Sequence, residues 1–253
     1  MDFLEFNSCT ENGEKIQASL EKIKVNDFEI HVVDNILNNN EIAYLLDKKN
    51  LNLDSESDSP INPSSNIHDY RKSKTLWFKE ENENQGVIKC LKQRFATIGN
   101  KNVENIEPLQ LTQYQNGDFY KTHSDLIGSK DVCTDPLHPS HDKLCTPENE
   151  QVNREKTIFV VLDTKNLEEE ACGGGTIFNN IKSAKDENVK LRIAPRIGRA
   201  IVWNNLTDDN ERHPLSMHSG EELRCLDSRK IGMNVWINDQ MSNQQIELKN
   251  KYK

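Results

Sequence analysis

The chain has 253 residues and a formal net charge of −9, with 29% charged and 34% hydrophobic residues. This length is enough for a single β-cored domain, which buries about three quarters of the surface of its unfolded chain. The acidic balance excludes a broad nucleic-acid or anionic-membrane surface, and no apolar run of about 18 residues is present to span a bilayer. We therefore expect neither nucleic acid nor membrane among its partners.

Residues 1–28 form a polar, mixed N-terminal extension, for which the sequence indicates a strand and a flexible start. Met1 is followed by acidic Asp2 where a signal peptide carries basic residues, and no apolar stretch of about 7–15 residues follows. The N-terminus therefore predicts a cytoplasmic, or alternatively nuclear, protein without a signal peptide. The folded domain is expected over residues 29–240, with a C-terminal tail over 241–253.

The first half of the domain mixes one strand, two helices and a loop. Residues 28–33 alternate between apolar and polar as a strand does, and a helix is expected near 39–49. The Ser-, Asp- and Pro-rich stretch that follows predicts a mobile loop over 50–72, and residues 85–98 predict a supporting helix. Its apolar face at helical spacing consists of Val87, Leu91, Phe95 and Ile98.

From residue 107 onwards, short apolar runs alternate with turn residues, which predicts a series of strands. The expected strands are 107–115, 118–124, 155–163, 175–178, 189–193, 199–204, 214–219 and 229–237. The glycines of 173–175 and the sequence of 195–198 mark tight turns rather than phosphate-binding loops, because no helix follows either. The expected fold class is therefore mainly β with flanking helices.

Two histidines and one aspartate are the strongest candidates for chemistry. His123 and Asp125 form an H-x-D pair whose side chains point to the same side of an extended strand, and His218 follows far along the chain. Two imidazoles and one carboxylate on one face of a metal suit non-haem Fe(II), because they leave positions open for a co-substrate and O2. H-x-D alone is a weak signal, so the interpretation depends on its surroundings.

The surroundings of both metal-ligand segments are specific. Tyr114 and Tyr120 bracket an Asn-Gly-Asp turn signal just before His123. After His218, a strand places Lys230, Asn234 and Trp236 on one face by period-two alternation. A cation at this position is suited to face a second carboxylate in the cavity.

With these motifs the chain resembles the prolyl 4-hydroxylases, within the Fe(II)/2-oxoglutarate-dependent dioxygenase superfamily. The resemblance covers roughly residues 30–238 and lies in Y-x-x-G-x-x-Y-x-x-H-x-D, G-G-x-T-x-F, S-x-H-x-G and K-x-x-x-N-x-W. In this chain Thr176 follows three glycines, whereas the family usually has Glu or Ala before its Thr. The gap between His218 and Lys230 is about two residues longer than is usual, so Arg229 is a competing cation.

The resemblance implies a double-stranded β-helix, or jelly roll, and a set of roles. Fe(II) would be held by His123, Asp125 and His218, which with Lys230 form the expected catalytic set. The 2-oxoglutarate site would include Lys230, Tyr114, Thr176, Asn234 and Trp203. The substrate-binding residues would be Tyr120, Arg71 and Trp236. O2 would be the second co-substrate and ascorbate the reductant.

The reaction implied is hydroxylation of a prolyl residue in a protein or peptide, with decarboxylation of 2-oxoglutarate to succinate. Two alternatives remain open at this point. One is an oxygenase of the same fold that acts on another residue or on a small molecule, because one fold hosts many specificities. The other is a catalytically silent binding module. A monomer or homodimer is expected.

The six cysteines lack a repeated C-x-x-C, and in a reducing compartment we expect most to be free thiols. Within an insert over 128–153, Cys133, His138, His141 and Cys145 offer four zinc-type ligands, but their spacing matches no common finger. A small zinc site, a disulfide between the two cysteines and a mobile polar insert all remain open. Because the insert follows Asp125, we expect it to overhang the mouth of the active site and to select substrates.

Overall fold

The computed structural model describes residues 2–10, 14–47, 70–78, 86–126 and 153–239. It has a helix α1 over Asn39–Leu46 and a helix α2 over Gly86–Gly99. Most of the predicted loop 50–72, nearly all of the insert 128–153 with its Cys and His cluster, and the tail 241–253 lie outside the described residues. None of the described helices is long and apolar enough to cross a membrane.

The described strands form two antiparallel sheets, which confirms the predicted mainly β class. The larger sheet has the order β1-β2-β3-β11-β8-β13-β6-β5, and the smaller sheet has the order β10-β9-β12-β7-β4. The strands are β1 Asp2–Asn7, β2 Lys15–Val25, β3 Phe28–Asp34, β4 Arg71–Lys72, β5 Lys74–Trp77, β6 Gln110–Gln115, β7 Phe119–His123, β8 Arg154–Lys165, β9 Thr176–Lys182, β10 Lys190–Ile193, β11 Ala200–Asn204, β12 His218–Gly220 and β13 Arg229–Asn238.

The N-terminal extension is more regular than the sequence indicates. β1 and β2 form a hairpin, and β2 pairs with β3, so that the larger sheet continues into the first residues described. Ile16 and Ala18 alternate onto the buried face of β2, and this apolar alternation holds the hairpin on the core. The expected flexible start is therefore a strand over Asp2–Asn7.

Two buried apolar clusters hold the sheets. Leu91 and Phe95 of α2 pack with the larger sheet, which confirms the predicted supporting helix. The second cluster joins Phe28 and Ile30 of the larger sheet to Phe178 of the smaller one. Because side chains from both sheets meet there, the molecule has the double-layered core of a jelly roll.

The predicted strands after residue 107 are present, with ends that differ by a few residues. The exception is the strand expected over 214–219. Pro214–Ser216 form a short 3-10 turn instead, and β12 begins only at His218. Proline has no N–H to donate to a strand ladder, which explains why this segment turns before it pairs.

The prediction of free thiols is wrong for the cysteines that the structure describes. Cys9 is bonded to Cys90 and Cys172 to Cys225, at sequence separations of 81 and 53 residues. Pairings at such distances cannot be deduced from cysteine spacing. Disulfides persist mainly in oxidising compartments, so these bonds weigh against the reducing compartment from which the free thiols were predicted.

Candidate metal centre and co-substrate site

The three candidate metal ligands meet at the junction of β7 and β12. His123 is the last residue of β7 and His218 the first residue of β12, and the two are direct register partners. Asp125 follows two residues after His123, and all three side chains are buried. The three ligand atoms lie within 4.8 Å of one another. Strand pairing thus brings together residues that the sequence places far apart.

Both imidazoles are oriented by backbone carbonyl groups. His123 Nδ1 donates to the carbonyl oxygen of Lys121 over 2.8 Å, and His218 Nδ1 donates to that of Ser216 over 2.9 Å. A carbonyl oxygen can only accept, so the proton of each neutral ring sits on Nδ1 and the Nε2 lone pair faces Asp125. The Nε2 atoms lie 3.5 and 3.8 Å from its two carboxylate oxygens. This donor set fits one divalent cation.

The protonation states are also those of metal ligands. Burial raises the pKa of Asp125, but the nearby imidazoles of His218 and His123 outweigh it, and the pKa falls well below its usual range. Burial, together with His123, lowers the pKa of His218 to about 4. At neutral pH the carboxylate is therefore charged and the His218 ring neutral, as metal binding requires.

Aromatic rings hold the two imidazoles in place. The ring of Tyr120 stacks on His123 with 3.6 Å between ring centroids, and the indole of Trp203 lies 4.8 Å from the ring of His218. Burial raises the pKa of Tyr120, so its phenol stays neutral. Each ligand ring therefore has one nitrogen fixed by a hydrogen bond and one face fixed by packing.

Lys230 lies inside the barrel, and Arg229 lies outside it. The Lys230 side chain is 2% exposed, and its Nζ donates to the Gly174 carbonyl oxygen over 2.6 Å and lies 5.0 Å from the centroid of the Tyr114 ring. Burial lowers the pKa of Lys230 to about 8. Arg229, with its side chain 44% exposed, pairs with Asp163. Of the two competing cations, the geometry favours Lys230.

Tyr114 and Thr176 are buried residues on one strand of each sheet. Tyr114 is buried and is the register partner of Lys230 across β6 and β13. Thr176 is buried and faces Gly220 across β9 and β12. Both positions suit contacts to a ligand bound between Lys230 and the metal ligands.

The other sequence-predicted residues divide into two groups. Asn234 donates to Gln110, and the N–H of Trp203 is directed at Asn205, so both have partners within the protein. Trp236 packs against the ring of Trp77 and the guanidinium group of Arg154. Arg71 lies 4.6 Å from the centroid of the Tyr120 ring.

Sequence reasoning missed a second group beside Asp125. Arg154 lies 3.5 Å from the centroid of the Trp236 ring, pairs with Glu107 through two hydrogen bonds of 2.8 Å, and donates to the Asp125 carbonyl oxygen over 3.4 Å. Thr157 donates to the Asp125 carboxylate. Arg154 and Thr157 lie on one strand, β8, whose sequence indicates only a buried strand, so no sequence signal distinguishes them.

A concave surface opens next to the metal ligands, on the smaller sheet. Tyr70 donates its hydroxyl proton to the carbonyl oxygen of Thr122 over 2.8 Å and packs edge-on against Tyr120. The surface is lined by Tyr70, Phe119, Tyr120, Lys121, Thr122, Ser219 and Gly220. We call it the tyrosine groove. Its rings can contact an apolar segment of a substrate.

Comparison with known families decides the classification. Residues 109–238, just over half of the chain, match the model of the 2OG-Fe(II) oxygenase superfamily. The chain belongs to this superfamily. All three candidate metal ligands and Lys230 lie within the matched region. The superfamily uses Fe(II), 2-oxoglutarate and O2, and the donor set of His123, Asp125 and His218 fits the metal.

Two curated relatives of this oxygenase are prolyl 4-hydroxylases. The chain is 26% identical over 170 residues to prolyl 4-hydroxylase subunit alpha-1 of Caenorhabditis elegans, covering 67% of this chain and 25% of the relative. It is 25% identical over 199 residues to the transmembrane prolyl 4-hydroxylase of Mus musculus, covering 66% of this chain and 37% of the relative. The match thus spans well under half the length of these relatives.

Solved structures support the fold. The 2-oxoglutarate complex of the viral collagen prolyl hydroxylase from Paramecium bursaria chlorella virus 1 is similar with a TM-score of 0.56 and 22% identity, covering 83% of this chain and 95% of that one. A truncated form of the same viral enzyme gives a TM-score of 0.52 and 20% identity, covering 83% and 88%. The double-stranded β-helix predicted from the sequence is therefore confirmed.

Proposed function

We propose that this oxygenase hydroxylates a prolyl residue of a protein or peptide, coupled to decarboxylation of 2-oxoglutarate to succinate. Two observations carry the proposal: His123, Asp125 and His218 form one buried cluster of ligand atoms, and Lys230 keeps its ammonium group buried without a carboxylate hydrogen-bond partner among the described residues. A metal site alone suits many functions. A metal site with a buried cation beside it suits a co-substrate that chelates the metal at one end and is anchored by a carboxylate at the other.

The metal would be held by His123 Nε2, His218 Nε2 and one carboxylate oxygen of Asp125. Fe(II) bound there supplies the one-electron chemistry that O2 activation needs. The fixed Nδ1 protons of both histidines keep the metal-binding nitrogens unprotonated and aimed at one point. The protein's contribution is to leave the remaining coordination positions to the co-substrates.

Lys230 would bind the distal carboxylate of 2-oxoglutarate. Its hydrogen bond goes to a neutral carbonyl oxygen, that of Gly174, so the positive charge is not neutralised by that contact. A bound carboxylate would add a charge-assisted hydrogen bond in a buried environment, where such bonds are strong. Tyr114, opposite Lys230, is placed to donate a second hydrogen bond to the same carboxylate. Thr176 and Asn234 would line the path between.

The substrate would lie in the tyrosine groove. Proline-rich segments adopt an extended helix whose rings dock on aromatic-lined grooves. Tyr70 and Tyr120 offer such faces, and Tyr120 also stacks on the metal ligand His123, so a residue bound there reaches the reactive centre. Arg71, which lies against the Tyr120 ring, and Trp236 would make further contacts to the substrate. The prolyl 4-hydroxylase names of the two curated relatives support the same substrate class.

The test is a mass-spectrometric assay with Fe(II), 2-oxoglutarate and ascorbate, the proposed reductant. Collagen-like and poly-proline peptides form one substrate panel, and soluble lysate proteins form the other. A gain of one oxygen on a prolyl residue that disappears in Asp125→Ala is the expected result. Succinate release without oxidised proline would retain the oxygenase and reject the prolyl substrate. Neither signal, from a folded protein, would support the silent binding module.

The domain bounds, the oligomeric state and the location of the protein are also proposals. We propose a folded unit over residues 29–240, whose larger sheet the β1–β2 hairpin extends, a monomer or homodimer, and a cytoplasmic or nuclear location, with the two disulfides weighing against the location. Size-exclusion chromatography with light scattering tests the oligomeric state. Thiol labelling of protein from its native compartment tests the disulfides.

A further inference from the structure

We propose that Thr157, Asn205 and Trp203 form a positioning chain that reserves one oxygen of Asp125 for the metal. The three side chains form a hydrogen-bonded run that ends at the Asp125 carboxylate. The inference rests on the metal centre of the proposed function and is independent of which substrate is oxidised. Thr157 and Asn205 are absent from the sequence-based site.

The proposed positioning chain is a continuous series of hydrogen bonds between side chains. Thr157 Oγ1 lies 2.7 Å from Asp125 Oδ2, Asn205 Nδ2 lies 2.9 Å from Thr157 Oγ1, and Trp203 Nε1 lies 2.9 Å from Asn205 Oδ1. Thr157 and Asn205 are both 0% exposed. No solvent therefore competes for these bonds, and each contributes more than it would at the surface.

The chemistry of the groups fixes the direction of every bond. An indole N–H can only donate, so the Asn205 atom facing Trp203 is the amide oxygen. The Asn205 amide nitrogen then faces Thr157 and donates to its hydroxyl oxygen. The single hydroxyl proton of Thr157 is left for the Asp125 carboxylate, which can only accept. The positioning chain therefore directs one hydroxyl donor, that of Thr157, at Oδ2 of Asp125.

The consequence is that the two oxygens of Asp125 differ. Oδ2 accepts the Thr157 hydroxyl proton and lies 3.8 Å from His218 Nε2, whereas Oδ1 lies 3.5 Å from His123 Nε2 and accepts no proton from Thr157. Binding through one oxygen uses one coordination position, and binding through both would use two. The Thr157 bond draws electron density from Oδ2 and so favours binding through Oδ1 alone, which leaves a position for 2-oxoglutarate or O2.

The positioning chain is also rigid, because two of its residues lie on paired strands. Trp203 on β11 and Thr157 on β8 are direct register partners, and Trp236 pairs with Thr157 on its other side. The same Trp203 indole packs 4.8 Å from the His218 ring. The Trp203 side chain thus packs on a histidine with its ring and is linked to the Asp125 carboxylate through its N–H, by way of Asn205 and Thr157.

The experiment measures the binding of Co(II) to the full-length protein. Co(II) serves as an oxidation-stable probe for Fe(II), and its visible absorption is followed during the titration. Thr157→Val keeps the shape and removes the hydroxyl, and Thr157→Ser restores it. We expect Thr157→Val to weaken Co(II) binding about 10–100-fold with an altered spectrum, as loss of hydrogen-bond partners behind metal ligands does. Thr157→Ser should stay within about threefold of the wild type.

Thr112→Val is the matched control, since Thr112 is another buried threonine of the same sheet and its hydroxyl bonds to the Gly232 carbonyl oxygen. It should leave Co(II) affinity unchanged. Wild-type affinity in Thr157→Val, an equal loss in the serine variant, or an equal loss in the Thr112 control would each overturn the inference.

A second variant covers the case in which Thr157→Val does not fold. Trp203→Phe keeps an aromatic ring at this buried position but removes the indole N–H together with part of the ring's volume, so we expect a loss of about threefold or more in Co(II) affinity. Unchanged Co(II) affinity and an unchanged spectrum in this variant would contradict the proposed positioning chain. If the wild-type protein does not bind Co(II), or if Asp125→Ala still binds it tightly, the proposed metal centre is rejected. These two results therefore distinguish an error in the proposed function from an error in the proposed role of Thr157.

Discussion

The Lys230 ammonium group donates to the Gly174 carbonyl oxygen over 2.6 Å, deep inside the barrel. Gly174 has a φ of 78°, which residues other than glycine rarely adopt, and it is the second glycine of the G-G-x-T-x-F pattern, in which Gly175 takes the variable position. The turn at Gly174 brings a backbone oxygen to the lysine. A carbonyl oxygen holds the ammonium group in position without neutralising its charge, and the lysine remains able to bind a carboxylate.

Replacing Lys230 should abolish tight co-substrate binding. Lys230→Ala leaves a buried carboxylate of 2-oxoglutarate without a cation, and we expect its KM to rise about a hundredfold or more. Arg229→Ala is the control, because this residue pairs with Asp163 at the surface and should change KM by less than about threefold. KM is measured from succinate release. The reverse pattern would assign the anchoring role to Arg229.

The affinity for 2-oxoglutarate should fall as the pH rises. Burial lowers the pKa of Lys230 to about 8, so the free protein loses this proton at a pH where an ordinary lysine keeps it. Only the ammonium form pairs with the carboxylate, and the dissociation constant should therefore increase about tenfold between about pH 7 and pH 9. Calorimetry with Co(II)-loaded protein measures it. Lys230→Arg, which stays charged, should show no such slope.

The Cys172–Cys225 disulfide should support the co-substrate site. It ties the glycine segment that carries the Gly174 carbonyl to the loop before Lys230. Cys172→Ala with Cys225→Ala should raise the KM for 2-oxoglutarate several-fold and lower the free energy of unfolding by about 2–4 kcal/mol. Succinate release and urea unfolding measure the two effects.

The second disulfide provides the comparison. Cys9→Ala with Cys90→Ala removes the link between the N-terminal hairpin and α2, away from Lys230. This pair should lower stability by a similar amount, about 2–4 kcal/mol, with the KM unchanged. An equal rise in KM for both pairs would attribute the effect to general loosening of the fold.

Tyr120 should serve the metal centre through its ring. Tyr120→Phe retains the stack on His123, so Co(II) affinity should not change, whereas Tyr120→Ala frees one face of the imidazole and should weaken binding about tenfold. Both variants lose the hydroxyl, which makes the phenylalanine a control for the ring alone. Equal losses in the two would assign the effect to the hydroxyl instead.

Gly173 should be irreplaceable for steric reasons. It has a φ of 80°, and a Cβ there would collide with the backbone carbonyl oxygen of Glu222. Gly173→Ala should therefore lower the free energy of unfolding by at least about 2 kcal/mol in urea titrations. Gly86 has a φ of 52°, and apart from its chain neighbours and its own helix backbone no atom of the described residues would lie within 4 Å of an added Cβ, so Gly86→Ala should cost only about 1 kcal/mol. Equal costs would contradict the steric explanation.

The sequence by itself determined the family, the mainly β fold and the candidate metal ligands. These depend on local spacing: H-x-D places two side chains on one side of a strand, and the alternation after His218 places Lys230 and Asn234 on one face. Helix α2 was predictable for the same reason, because Leu91 and Phe95 repeat at helical spacing. Patterns of this kind depend only on residues that lie close together in the sequence.

Only the tertiary structure decided the rest. It buried Lys230 and left Arg229 exposed, paired Cys9 with Cys90 and Cys172 with Cys225, and linked Asn205 through Thr157 to Asp125. None of these relationships has a local signal, because each joins residues that lie far apart along the chain. Strand pairing and burial bring these residues together. A hydrogen bond then connects Thr157, which has no distinguishing feature in the sequence, to the candidate metal ligand Asp125.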